Sequence, residues 1–398
     1  MESVVTPRAW LTACVAILTL LVAPVASAAT VETGDFLGQL EIAAPAGETN
    51  DLTLSGERAG GITTIDVIEG GAAPLEAGAG CEDTKTGVRC ELDSVYVIFV
   101  ELGDMSDHLD GSGIPGGIQI TADLGDGDDE MLGPPNEACV DAGEGDDRVT
   151  LIDQTLGCAV DGEGGDDEIV AATGRNNLYG GLGADRIVGG DGTDNIEGDE
   201  GNDRLLGGPG GDFIGDGDGE DLGRGGGGRD FFSDDPGNDV LEGNQGSDVF
   251  GMYLGPRDGD DLLDGGKGTD SANFLCRSCR VSLDGRANDG RKGEQDNLLV
   301  ENVRIRSTLP GDGGGLQRFG SGQDRIEGDD GSNVLAGYRG ADRISGNGGA
   351  DDLLGGTGND QIKAADGERD IVDCGAGKDS ASVDAFDVVR RCESLSVP

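Results

Sequence analysis

Apolar side chains recur at every ninth position through the middle of this chain, with glycine, acidic and amide residues between them. Across residues 162–251 the apolar position reads Ile169, Leu178, Ile187, Ile196, Leu205, Ile214, Gly223, Phe232, Leu241 and Phe250, with one gap at Gly223. Two places earlier in each unit stand Asp167, Asn176, Asp185, Asp194, Asp203, Asp212, Asp221, Asp230, Asp239 and Asp248. A fixed short period predicts a stacked, quasi-one-dimensional fold. Within a unit, the first six positions carry turn residues and the last three a short strand whose eighth residue points inward. If two units make one coil, alternate units face each other. Ile169, Ile187, Leu205, Gly223 and Leu241 then form one ladder, and Leu178, Ile196, Ile214, Phe232 and Phe250 the opposing one. Phe232 is placed to fill the gap left by Gly223.

The period extends past this run. Asp129 and Asp147 occupy the sixth position of earlier units, and Asp261 and Asp270 resume it after a four-residue break. A second array carries Asp324, Asn333, Asp342, Asp351 and Asp360, and one inserted residue later Asp370 and Asp379 continue it. The expected organisation is a signal peptide at 1–28 and an irregular N-terminal β region at 29–121, serving as cap or first coils. A first array at 122–273, an inserted basic loop or hairpin at 274–318, and a second array with a C-terminal cap at 319–398 complete it. Val281–Leu283 and Leu298–Val303 are the expected strands of the insertion.

Composition changes what this fold needs. With 79 acidic against 28 basic side chains, 77 glycines and 4% aromatics, the chain buries too little apolar surface to order itself, and its net charge of −51 opposes compaction. Such a chain either remains unfolded or neutralises its carboxylates with bound cations, and the strict period favours the second. The same acidity excludes nucleic acid as a partner. Residues 1–28 join Arg8, an apolar stretch and a terminal Ala-Ser-Ala, the pattern of a cleaved secretory signal. No second apolar run follows, so no membrane span is expected after cleavage, and the product is expected outside the cell. Eight cysteines then remain, and Cys81–Cys90, Cys139–Cys158, Cys276–Cys279 and Cys374–Cys392 are the local pairings expected in an oxidising compartment. Cys374 and Cys392 are eighteen residues apart, one coil, which sets them at about the strand spacing of 4.8 Å.

The sixth-position acids suit a hard cation. Calcium takes six to eight oxygens, whereas magnesium demands rigid octahedral geometry and zinc prefers nitrogen and sulfur. A sixth-position Asp and the glycine carbonyls of the stacked turn can enclose such an ion, because no Cβ keeps the two backbones apart. The competing reading makes each Asp an Asx-turn residue that caps its strand.

The unit Gly-Gly-x-Gly-x-Asp-x-U-x, complete at residues 180–188, 189–197, 207–215, 225–233 and 355–363, resembles the RTX, or haemolysin-type, calcium-binding repeat. That resemblance implies an all-β fold, a parallel β-roll or β-helix solenoid, binding several Ca2+ ions through sixth-position side chains and turn carbonyls. Asn176 and Asn333 depart from the pattern but keep an oxygen. Asp216, Asp234 and Asp235 replace leading glycines in two units, which weakens the expectation of a site there.

Nothing catalytic stands out. The chain has one histidine, His108, and neither an HExxH nor a GxSxG motif. The expectation is a secreted, non-enzymatic calcium-binding protein, with cell-surface or matrix ligands as candidate partners. The alternative is a secreted hydrolase or carbohydrate-active enzyme stabilised by the β-roll.

Overall fold

The computed structural model describes residues 29–397 except 35–37, 45–46, 72–73, 94, 136, 153–158, 253–260, 269, 276–279, 283–296, 300–301, 307–324, 329 and 338. For 252, 273–275, 280–282, 297–299, 302–306 and 339 only the backbone is described. The proposed signal peptide, Cys158, the Cys276–Cys279 pair and Asp324 therefore lie outside the described residues. The chain is all-β: every described element is a strand. Among the described residues no helix is long and apolar enough to cross a membrane. Two compact units are present, Met1–Ile196 and Glu197–Pro398.

In the first unit two parallel stacks form the body. One runs through Gln39–Ala43, Val97–Glu101, Gln119–Asp123, Glu137–Asp141, Ala159–Asp161 and Asn177–Leu182. The other runs through Asp51–Ala59, His108–Gly113, Glu130–Leu132, Arg148–Leu151, Glu168–Ala171 and Arg186–Val188. The stacks are parallel because each coil travels the same way round, so like strands meet like strands. Among the described residues, antiparallel pairing is confined to the N-terminal end. There Ala29–Thr33 lies on Gln39–Ala43, and Ile62–Glu69 joins Asp51–Ala59 to Gly87–Leu92. The Cys81–Cys90 disulfide ties that end together.

Among the described residues of the second unit, strands likewise pair in parallel. Phe213–Gly215, Phe231–Asp234 and Val249–Met252 stack in register, as do Arg204–Gly210, Leu222–Gly228 and Val240–Gly246. The strands of the basic insertion do not form a hairpin. Asn297–Leu299 pairs in parallel with Leu262–Asp264, and Asn302–Arg306 with Ser271–Leu275, while Arg280–Ser282 pairs with Arg325–Glu327. The described strands of this segment thus continue the parallel stacks. Cys374–Cys392 joins adjacent coils with a Cα separation of 5.1 Å, close to the expected strand spacing. Cys139 is also disulfide-bonded.

The core follows the predicted ladders. Ile169 pairs with Ile187, Leu205 with Gly223, and Gly223 with Leu241 on one side. Ile214 pairs with Phe232, and Phe232 with Phe250, on the other. The Phe232 and Phe250 rings stack with centroids 4.8 Å apart. The gap at Gly223 is filled from its neighbours: a Cβ there would lie 2.8 Å from Leu241 Cδ2 and 3.5 Å from Phe232 Cε1. Outside the core, Glu168 sits between Arg148 and Arg186 on successive coils, exposed pairs that contribute little each.

Candidate metal centre

Each coil turns sharply just before its strand, and the backbones of stacked turns approach closely. Gly125 and Gly143 have φ of +98° and +105°. A Cβ on either would collide with the carbonyl of the turn below. The sixth residue follows this turn and points inward. Asp129, Asp147, Asp167, Asn176, Asp185, Asp194, Asp203, Asp212, Asp221, Asp230, Asp239, Asp248, Asp261, Asp270, Asn333, Asp342, Asp351 and Asp360 are all buried, as are Asp370 and Asp379.

These carboxylates form ladders along the stacked turns. The backbone N–H of one sixth-position residue donates to Oδ1 of the equivalent residue one coil later. In the first unit the series runs from Asn50 to Asp107, Asp129, Asp147, Asp167 and Asp185, with N···O distances of 2.6–2.8 Å. In the second unit one ladder joins Asp203, Asp221, Asp239 and Asp261, and another Asp212, Asp230, Asp248 and Asp270. Toward the C-terminus, Asn333, Asp351, Asp370 and Asp387 form a third ladder. Asp342, Asp360, Asp379 and Glu393 form a fourth. Steps of 22 residues, as from Asp239 to Asp261, occur beside steps of 18, so four extra residues in a coil leave the ladder unbroken. The Asx-turn reading is thus replaced by an inter-coil cap: the carboxylate supplies the acceptor for an N–H that has not yet entered a strand.

Only one carboxylate oxygen is used this way. Oδ2 of Asp129, Asp147, Asp167, Asp221, Asp230, Asp248, Asp360, Asp370 and Asp379 is enclosed and has no hydrogen-bond partner. Burial pushes these acids upward. Asp167 reaches about 8, Asp129 about 7, and Asp147, Asp221 and Asp370 about 6, with acidic neighbours adding to the burial in most of them. A ladder of buried, half-satisfied carboxylates is not stable unless something positive lies against it.

The surroundings fit a hard cation. A Cβ at Gly207 would lie 2.5 Å from Asp212 Oδ2 and 2.8 Å from the Gly225 carbonyl. Carboxylate and carbonyl thus face one another across a bare glycine. Asp167 and Gly180 converge in the same way at Gly162, as do Asp248 and Gly265 at Gly243. Sixth-position carboxylates and stacked-turn carbonyls are the residues that would hold such ions, which supply the charge neutralisation missing from the ladder.

Asn176 works differently. Its amide donates to Asp194 Oδ1 at 2.8 Å and to the Gly189 carbonyl at 3.1 Å, doing with N–H groups part of what an ion would do. Asn50 does likewise at the head of the first ladder, donating to Asp107 Oδ1 at 3.1 Å. Asn50, Asp107, Asp387 and Glu393 are absent from the sequence-derived set. Asp107 was legible: Gly103-Asp-Met-Ser-Asp-His-Leu109 runs in the frame of Gly125-Asp-Gly-Asp-Asp-Glu-Met131, with Met105 at φ +79° where a glycine is expected. The other three carry no repeat around them.

Parallel coils with acids or amides buried at their turns define a β-solenoid whose turns suit a hard cation. A family model described as the RTX calcium-binding nonapeptide repeat matches residues 161–196, 179–214, 215–250, 257–272, 320–353, 327–362 and 345–380. The chain thus carries RTX calcium-binding repeats in several copies, and its fold is a calcium-binding β-roll. No curated protein matches it as a relative.

Proposed function

We propose that this is a secreted, non-enzymatic protein whose coils order when several Ca2+ ions fill the stacked turns, and that it acts outside the cell at surface or matrix ligands. The observation that carries the reading is the set of enclosed, unpartnered Oδ2 atoms along each ladder. Without cations these charges oppose folding; with them they link coil to coil, so binding free energy becomes folding free energy. Secretion is supported by the N-terminal apolar stretch and by disulfides at both ends of the described chain, which need an oxidising compartment. A non-enzymatic role is supported by the absence of catalytic motifs from the sequence. The single histidine is also a surface residue, with Nδ1 of His108 2.8 Å from Asp51 Oδ1 and both side chains substantially exposed.

Circular dichroism against calcium tests the proposal. A gain of β signal is expected between about 0.1 and 1 mM, the range of extracellular calcium modules. A spectrum unchanged up to about 10 mM would sink it.

A further inference from the structure

Two units of the central run carry an acid at their first residue. Asp216 and Asp234 stand where residues 207, 225 and 243 are glycine. At those glycines the space a Cβ would occupy already holds the carboxylate of the unit's own sixth residue, Asp212, Asp230 or Asp248. An acid at the first position therefore sets a second carboxylate beside the first, an arrangement with no benefit unless a cation lies between them.

The two departures are one coil apart. Carboxylate oxygens of Asp216, Asp234 and Asp239 lie within 4.8 Å of one another, and all three side chains are buried. Asp216 is 0% exposed. Its Oδ1 accepts from the N–H groups of Gly217 at 2.9 Å and Asp235 at 3.0 Å, while its Oδ2, equally enclosed, has no hydrogen-bond partner. The charged groups acting on it, Asp239, Asp221 and Asp235, are all acidic. Burying the Asp216 carboxylate with only acidic charges acting on it is strongly unfavourable.

We propose that the first-position acids Asp216 and Asp234 join the sixth-position Asp239 in a calcium site of a different kind from those built of sixth-position acids and glycine carbonyls. The inference rests on the calcium-binding reading above. All-oxygen donors select a hard cation, and affinity rises with the number of ligand charges. Three buried carboxylates on one ion make this the first site to fill when calcium is limiting; in the other such cluster among the described residues, Asp351, Asp366 and Asp370, Asp366 is exposed. The sequence expectation is therefore reversed: loss of the leading glycines strengthens cation binding here.

Isothermal titration calorimetry and equilibrium dialysis with calcium, on the full chain and on Asp216→Gly and Asp216→Asn, test the proposal. Asp216→Gly restores the residue that other units carry and so suits the backbone; Asp216→Asn keeps the side-chain volume. Each variant is expected to lose one bound ion and the tightest binding step, with first-site affinity at least about tenfold weaker. Both should keep the β signal at saturating calcium. Wild-type stoichiometry and an unaltered first step in both variants would overturn the three-carboxylate site while leaving the repeat sites standing. A wild-type chain that binds no calcium would overturn the calcium reading as well.

Discussion

The backbone N–H of Asp147 donates to Oδ1 of Asp167 at 2.8 Å, twenty residues further along the chain. The Asp167 side chain thus holds two coils together through one oxygen and leaves the other enclosed without a partner. The two oxygens have different roles, which substitutions can separate.

Asp167→Asn keeps an oxygen to accept the Asp147 N–H but removes the charge. It should weaken calcium binding while leaving the calcium-free state no less ordered. Asp167→Ala removes the acceptor as well and strands a buried N–H, costing about 1–3 kcal/mol even at saturating calcium. Denaturant titrations with and without calcium compare the two; equal effects from both variants would show that only the charge matters.

In calcium-free protein, acid should favour the fold. Asp129, Asp147 and Asp167 are raised from an ordinary 3.8 to about 7, 6 and 8, chiefly by burial. A carboxyl raised in the folded state binds its proton more tightly there. Its contribution is therefore fully present below the unfolded value and is lost as pH rises through the folded one. Without calcium, the β signal at about pH 5 should exceed that at about pH 8.5. With calcium the trend reverses, because protons compete for the same oxygens. Acid-induced loss of structure in the absence of calcium would contradict the buried-ladder account.

Asn176→Asp should make its turn more calcium-dependent. The variant loses the side-chain donors to Asp194 Oδ1 and the Gly189 carbonyl, keeps the backbone N–H to Asp194 Oδ1, and places a charge there instead. It should be less ordered than wild type in chelator and recover in calcium, which circular dichroism across a calcium series will show. A variant indistinguishable from wild type in chelator would remove the amide from this role.

Phe232→Ala should cost about 3–5 kcal/mol in calcium-saturated protein, because Phe232 stacks on Phe250 and fills the space opposite Gly223. Gly223→Ala should cost far less, since the nearest atom to a new methyl is the free end of Leu241. Denaturation midpoints measure both. A large loss from Gly223→Ala would mean that Leu241 cannot give way.

Much of this molecule is legible in the sequence because a solenoid converts one-dimensional spacing into contact. Ile169 meets Ile187, and Cys374 bonds to Cys392, for the same reason: each pair is eighteen residues, one coil, apart. Where the spacing drifts, legibility fades. Asp107 caps the Asn50 N–H across 57 residues, and Asp379 meets Glu393 across 14, so no period betrays either pair. The insertion at 274–318 reads as a hairpin because its loops hide the frame, yet its strands stack in parallel like the others.

By itself, the sequence determined the repeat, the inward ladders and the acid at every turn, since turn residues and apolar positions act locally and repeat. Tertiary structure alone decided what those acids do. Stacking points one oxygen of each carboxylate at a backbone N–H and encloses the other, and it brings Asp216, Asp234 and Asp239 together from two coils. Side-chain direction and the closure of stacked turns are properties of neighbouring coils packed together, and no single nonapeptide contains them.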